Sequence, residues 1–248
     1  MKRMLIFVLL ILSLALAGCG LQMQKVGDSN TIHGSGKLAS ETRSVSGFTR
    51  IAVQTAGWVK VTRGDTDSLV IEAEDNILPL LVSEVNGNQL VLHTRPNTSY
   101  NATRQINYTI TVKDLREINV SSSADVQAGD FQASTFNLAL SGSGNVTLAS
   151  LQADSLGVEI SGSGTAEVLG GSAGGITANL HSSGNFKAAA LQSQTAQVSV
   201  SGSGTATVWA RTNLTATLSG SGDLVYYGSP VVNQNVSGSG RVQSRGNK

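Results

Sequence analysis

The chain has 248 residues and a formal net charge of +1, with 40% hydrophobic and 13% charged residues, 28 glycines and 3 prolines. A near-neutral chain gives no electrostatic case for a nucleic acid partner or an anionic surface, and its hydrophobic content with few charges argues against disorder. Its one cysteine, Cys19, excludes an intrachain disulfide, so the fold must hold without such a staple.

In chain order, Met1-Lys2-Arg3 is a short basic start, followed by an apolar run from Met4 to Leu12 that resumes after Ser13 and reaches Ala17. About 14 apolar residues are too few for a permanent membrane helix, which needs roughly 20. The run closes on Leu16-Ala17-Gly18-Cys19, a large apolar residue, two small ones and a cysteine, which is the lipobox pattern. Small residues let the scissile segment lie extended in a peptidase cleft, and the thiol is the nucleophile that takes diacylglycerol. Residues 1–18 are therefore expected to be a lipoprotein signal peptide, with Cys19 the acylated first residue of the mature chain and the lipid bilayer its partner. Two or three acyl chains (palmitate-like) anchor durably where one would be marginal. Gly20, in place of an aspartate, favours an outer-membrane address.

Residues 19–46 are expected to be the lipidated N-terminus and a tether, with the polar, Gly/Ser-containing stretch from Asp28 to Ser46 also readable as a ragged first rung. From Phe48 strand-like alternation begins, with Ile51 and Val53, Val59 and Val61, Leu69 to Ile71, and Leu90 to Leu92. Asn86-Gly87 predicts a hairpin turn, residues 76–83 allow one helical turn around Pro79, and residues 97–104 predict an exposed loop. Residues 47–115 are thus expected to be an irregular β region. Composition does not decide whether this region is a separate domain or an irregular front to the second half of the chain; one continuous β structure is the favoured reading.

The second half is organised by a repeat. Ser-Gly-Ser-Gly begins at Ser141, Ser161, Ser201, Ser219 and Ser237, with a worn copy at His181 and a first copy, Ser-Ser-Ser-Ala, at Ser121. The spacing is 20 residues, falling to 18 in the last two, and fixed self-similarity at this period marks a solenoid. Three and one residues before each copy stand apolar pairs such as Leu138 and Leu140, Val158 and Ile160, Val198 and Val200. Five and seven after it stand Val146 and Leu148, Ala166 and Val168, Phe186 and Ala188. Polar residues separate the members of each pair, which is strand periodicity with one buried face. Residues 116–242 are therefore expected to be an all-β, parallel β-helix-like solenoid. The tetrapeptide makes its corners, where glycine permits positive φ or a tight bend that a Cβ would obstruct. Residues 243–248 are expected to be a disordered tail.

No constellation in this sequence points firmly to chemistry. His33, His93 and His181 lack a second histidine or acid at metal-ligand spacing. The Gly-Ser-Gly triplets around Ser143, Ser163, Ser203, Ser221 and Ser239 have no following helix, unlike a nucleophile elbow. Gly34-Ser-Gly36 lacks the strand–helix frame of a dinucleotide site. Asp223 after a corner suggests calcium, but the same position is Asp125, Asn145, Thr165, Asn185, Thr205 and Arg241 elsewhere, which supplies few carboxylates. Glu159, Glu167 and Asp154 are the candidates for a polysaccharide-processing acid pair. Trp58, Trp209, Tyr226 and Tyr227 are the candidates for sugar stacking. No cofactor or metal is expected.

The stretch Phe48-Thr49-Arg50-Ile51-Ala52-Val53, Gly64-Asp65, Asp75-Asn76-Ile77, the repeated corners and the closing Ser219–Pro230 segment together resemble the head GIN domain family, described as a putative auto-transporter adhesin. The resemblance covers roughly residues 47–240. It implies an all-β solenoid on an exported protein and an adhesive role. The expected function is therefore a membrane-anchored, non-catalytic envelope or adhesion module. A glycan-binding module and a polysaccharide-processing enzyme are the alternatives, and a cell-surface glycan or protein is the expected partner.

Overall fold

A computed structural model describes residues 31–248; the signal peptide expected over residues 1–18 and the lipidation site Cys19 lie outside the described residues. Its regular secondary structure is all strand, apart from one 3-10 turn at Leu78–Leu80. The strands stack into a solenoid of about six turns, as the 20-residue repeat requires.

Each coil runs through three walls. The first wall is built from the strand ends before each corner. Arg50–Val53, Glu117–Val120 and then the segments ending at Leu140, Ile160, Leu180, Val200 and Leu218 pair in parallel, one above the next. The second wall lies just past the corners, with Trp58–Arg63 beneath Asp125 to Ala128, then Val146, Ala166, Phe186 and Ala206 in register. The apolar pairs flanking the corners point inward as the alternation demands: Leu138, Leu140, Val158, Ile160, Val198 and Val200 are all buried, as are Val146, Leu148, Ala166, Val168, Phe186 and Ala188. Tyr226 is only half-buried, because just one short strand, Val242–Ser244, lies beyond it.

The third wall closes the column, and the flanks of the tetrapeptide give no hint of it. Phe131, Leu151 and Leu191, together with Phe136, Leu156, Ile176 and Leu214, point inward from it. A three-walled coil hides its large side chains against the coils above and below, each contributing on the order of 1.5–3 kcal/mol before chain entropy is subtracted.

The front is continuous with the solenoid, and it is wound out of order. The coil holding Arg50–Val53 and Trp58–Arg63 lies between a later coil, Gln89–Thr94 with Asn107–Val112, and the coil that begins at Glu117. Outside that later coil the pairing turns antiparallel: Ser68–Glu74 on Asn107–Val112, Leu38–Arg43 on Ser68–Glu74, and Leu81–Asn86 on Gln89–Thr94. Antiparallel strands seal the end of the apolar column, covering Leu69, Ile71, Leu90, Leu92 and Ile110. They act as the terminal cap that a solenoid needs.

Three boundaries differ from expectation. The described part of the tether, residues 31–46, is structured: Thr31–His33 pairs with Ser99–Asn101, and Leu38–Arg43 extends the cap. Residues 97–104, expected as a loop, contain that partner strand. The last six residues, expected to be a disordered tail, track the final coil, with Arg245 and Gly246 bonded to Tyr226 and Gly228. Each of these segments gains backbone partners that polar composition does not reveal. The hairpin at Asn86-Gly87 and the turn around Pro79 form where expected.

Candidate functional site

The corners form one straight column, and their glycines are explained by contact. Gly142, Gly144, Gly162, Gly164, Gly202 and Gly204 have no positive φ. A Cβ on Gly162 would sit 1.8 Å from the Gly142 carbonyl oxygen, and one on Gly164 would sit 1.8 Å from that of Gly144. Neither positive φ nor the bend itself requires glycine here; the backbone of the corner below does. The corner amides donate to the corner below: Ser143 N–H to Ser122 O, Ser163 N–H to Gly142 O, and Ser203 N–H to Ser182 O, each at 3.1 Å. The two serines of each Ser-Gly-Ser-Gly copy are exposed on the outer edge.

Directly after the corners runs a second ladder that the sequence alone did not disclose. Asp125 accepts the Asn145 amide N–H at 3.1 Å and its Nδ2 at 2.8 Å, and Asn145 in turn accepts Thr165 N–H at 3.0 Å. Asn185 does the same for Thr205, and Asp223 for Arg241. The Asx residues considered as calcium ligands are therefore committed to backbone amides of the next coil. Among the described residues, no cluster of three or more His, Cys, Asp or Glu could hold a metal ion.

His181 takes a corner position and spans three coils. Its Nε2 lies 2.8 Å from Glu159 Oε1 and its Nδ1 lies 3.2 Å from Ser201 Oγ. The arrangement has the parts of an acid–imidazole–hydroxyl relay, but three amides beside it are already engaged. The nearby amides of Ser201, Ser203 and Gly204 all donate to Leu180 and Ser182 carbonyls. A half-exposed pair of this kind contributes at most about 1 kcal/mol. His93 is tied by Nδ1 to the Thr94 carbonyl at 3.0 Å, and His33 lies on an exposed strand.

The three candidate acids are not brought together. Glu159 lines a groove beside Glu117 and Asn137, Glu167 lines one beside Trp58, Asp125 and Lys187, and Asp154 lines a third beside Arg116, Gln132 and Gln152. They sit on three different walls of one coil, and the paired-carboxylate geometry of glycoside hydrolysis does not form.

The aromatic candidates divide. Tyr226 packs against the core. Trp58 is half-buried between two grooves of the second wall. Trp209 lines a groove of about 360 Å³ on the third wall, beside Gln192, Arg211 and Lys248. Tyr227 lies on the same wall beneath Lys248, whose Nζ is 4.7 Å from the ring centre.

At the capped end, Glu74 is buried and accepts Thr103 Oγ1–H at 2.6 Å and the amides of Gly36, Thr103 and Arg104 at 2.6, 2.8 and 3.3 Å. The Thr103 hydroxyl, with those amides, holds its pKa below the ordinary carboxylate value, against desolvation. Gly34-Ser35-Gly36 thus serves as a cradle for Glu74, and a Cβ on Gly34 would fall 2.1 Å from the carboxylate.

The family model for "Putative auto-transporter adhesin, head GIN domain" matches residues 47–230. Among solved structures, a putative adhesin from Bacteroides fragilis aligns with a TM-score of 0.81 and 27% identity, over 86% of this chain and 99% of that one. A putative adhesin from Parabacteroides distasonis aligns at 0.68 and 23% identity, over 87% and 100%. A putative lipid-binding protein from the same species aligns at 0.71 and 24%, over 86% and 99%, and these two likenesses show the fold alone. No curated protein matches the chain.

Proposed function

Because the chain belongs to the head GIN domain family of putative auto-transporter adhesins, we propose that it is a non-catalytic adhesive module of the bacterial envelope, held to a membrane by acyl chains on Cys19. The observation that carries this reading is the likeness of nearly the whole described chain to the putative adhesin from Bacteroides fragilis. The separation of Glu159, Glu167 and Asp154 onto different walls supports a binding role over a hydrolytic one. Among the described residues no helix is long and apolar enough to cross a membrane, which is compatible with an anchor made by the lipobox cysteine. An outer-membrane location, with the solenoid facing outward, is the address this reading expects.

One experiment addresses anchor and location together. Metabolic labelling with a palmitate analogue should tag the wild-type protein, and protease added to intact cells should remove the solenoid. Cys19→Ser should abolish the label and leave unprocessed or released protein. Undiminished labelling of that variant would refute the anchor, and full resistance to protease on intact, adherent cells would refute surface adhesion. A glycan-binding role is favoured as the mode of adhesion by the half-exposed Trp209 on the third wall.

A further inference from the structure

Six outward-facing residues of the third wall stand in register, one per coil. Gln132 pairs with Gln152, Gln152 with Ser172, Ser172 with Gln192, Gln192 with Trp209, and Trp209 with Tyr227. Outward residues of stacked parallel strands repeat at about 4.8 Å, so the row extends roughly 24 Å along the solenoid axis. None of the six carries a charge.

The two aromatic members arise from the shortened repeat. Up to Lys187–Thr207 the coils match at an offset of 20 residues, but the pairing then jumps to Gln192–Trp209 before settling at 18. The residues removed correspond to the Ala189-Ala190-Leu191 segment of the coil below. Trp209, directly after inward Val208, is thereby drawn to the place where longer coils present an amide. Tyr227 repeats this one coil later, after Tyr226. Ser193, buried at this irregularity, ties it down by donating to the Trp209 carbonyl at 2.8 Å. Gly228, with φ +98°, lets the next coil pass close over Ala210, whose carbonyl oxygen would lie 2.1 Å from a Cβ there.

We propose that this row is a binding site for an extended, uncharged polysaccharide lying parallel to the solenoid axis. The chemistry of the row selects the partner. Trp209 offers an apolar ring face for the C–H face of a pyranose, and Tyr227 extends the aromatic end, with one face of its ring already taken by Lys248 Nζ at 4.7 Å. Gln192, Gln152 and Gln132 each offer a carbonyl acceptor and an amide donor, which is what vicinal hydroxyls require. One pyranose residue of an extended β-linked chain advances by about one strand spacing, so successive sugars meet successive coils. Ser172, the shortest side chain of the six and next to Gly171, keeps the middle of the row low. Asp154 and Arg116 line the groove of about 480 Å³ at the glutamine end and add hydrogen-bonding groups there. The six residues of the row are themselves uncharged, with Arg211 and Lys248 bordering it at Trp209 and Asp154 and Arg116 at the glutamine end, and stacking with amide bonding, rather than ion pairing, is what the row itself supplies.

This inference rests on the adhesive reading and names its partner. Purified full-length protein is titrated calorimetrically with cello- and chito-oligosaccharides of increasing length, with alginate oligomers as an anionic comparison. Affinity for at least one neutral series should rise with length and level off near six sugars, with little dependence on salt. Trp209→Ala should weaken it by more than about ten-fold, the behaviour of a stacking anchor. Gln152→Ala, an exposed change that leaves the core intact, should weaken it a few-fold, and Trp58→Ala on the next wall should leave it unchanged. Absence of binding to every neutral series, or retained affinity in both Trp209→Ala and Gln152→Ala, would overturn the proposal. If cells still adhere in that case, the glycan site alone falls; if adherence is absent as well, the adhesive reading falls with it.

Discussion

At the scale of single residues, the corner glycines show how little space separates one coil from the next. Parallel strands can stack closely only if nothing projects between their backbones, and Ser-Gly-Ser-Gly places its two Cβ-free positions where the carbonyls of the corner below come nearest. Gly164→Ala is expected to destabilise the protein by more than about 2 kcal/mol, because the obstacle is backbone and cannot rotate away. Gly129 sits on the same solenoid with only the Val61 carbonyl, at 3.7 Å, near its would-be Cβ, and its φ is not positive. Gly129→Ala should therefore be neutral or gain about 0.5 kcal/mol by restricting the unfolded chain. Equal losses for the two variants in urea denaturation would show that corner contact is not what selects glycine. Tyr108 is a different kind of residue-level signal. Its hydroxyl is buried without a bond of hydrogen-bonding geometry among the described residues, and burial pushes its pKa up despite a smaller downward pull from Thr55.

At the scale of the strand, the alternation of inward aliphatics and outward polar residues sets the register. The three walls then differ in what their outer faces carry. Leu140 is buried between the coils of Val120 and Ile160, whereas Asn145 lies on the outside and bridges Asp125 to Thr165. Leu140→Asp should cost at least about 4 kcal/mol, since it combines a lost aliphatic with a buried charge. Asn145→Ala removes one step of the Asx ladder and should cost roughly 0.5–1.5 kcal/mol. Thermal or urea unfolding of the two variants checks the order, and comparable losses would displace the register. The Asx ladder was legible in principle: Asp125, Asn145, Asn185 and Asp223 recur at the repeat period. Their pattern reads equally as a sparse cation site until the acceptor of each amide is known.

At the scale of the whole molecule, the two ends of the column are unlike. One is sealed by antiparallel strands, and the other ends on Val231–Val236 and Val242–Ser244, whose outermost residues are mostly polar and exposed. The sealed end depends on Glu74 as an ionised acceptor that joins residues 36, 103 and 104. A carboxylate whose folded pKa is depressed adds stability that is fully present above its ordinary value, 4.5, and is lost as pH falls through the lower folded value. Asp75, lowered by the Ser35 hydroxyl and by Lys37, acts in the same direction. Hydrogen exchange, corrected for intrinsic rates, should therefore show the amides of Gly36, Thr103 and Arg104 losing protection below pH 4.5 while the corner amides keep theirs. Glu74→Gln should show reduced protection already at neutral pH and a weaker dependence on acid. Unchanged protection of these three amides down to strong acid, or a Gln variant that matches wild type, would refute this role.

The all-β class, the 20-residue coil, the inward column and the corner positions were readable from residues 116–242 because a solenoid repeats its contacts at the period of its sequence. Each buried pair there is the local alternation seen again one coil later. The resemblance to the adhesin family was readable for the same reason, since the corners are both the repeat and the family's motif. Tertiary structure decided what depends on partners distant in sequence: the out-of-order front coil, the strands within residues 31–46 and 97–104, and the scattering of Glu159, Glu167 and Asp154 onto separate walls. It also decided the row from Gln132 to Tyr227, because a two-residue shortening reads in the sequence as a change of period. Only the pairing of each coil with the one beneath shows which side chain it brings into line.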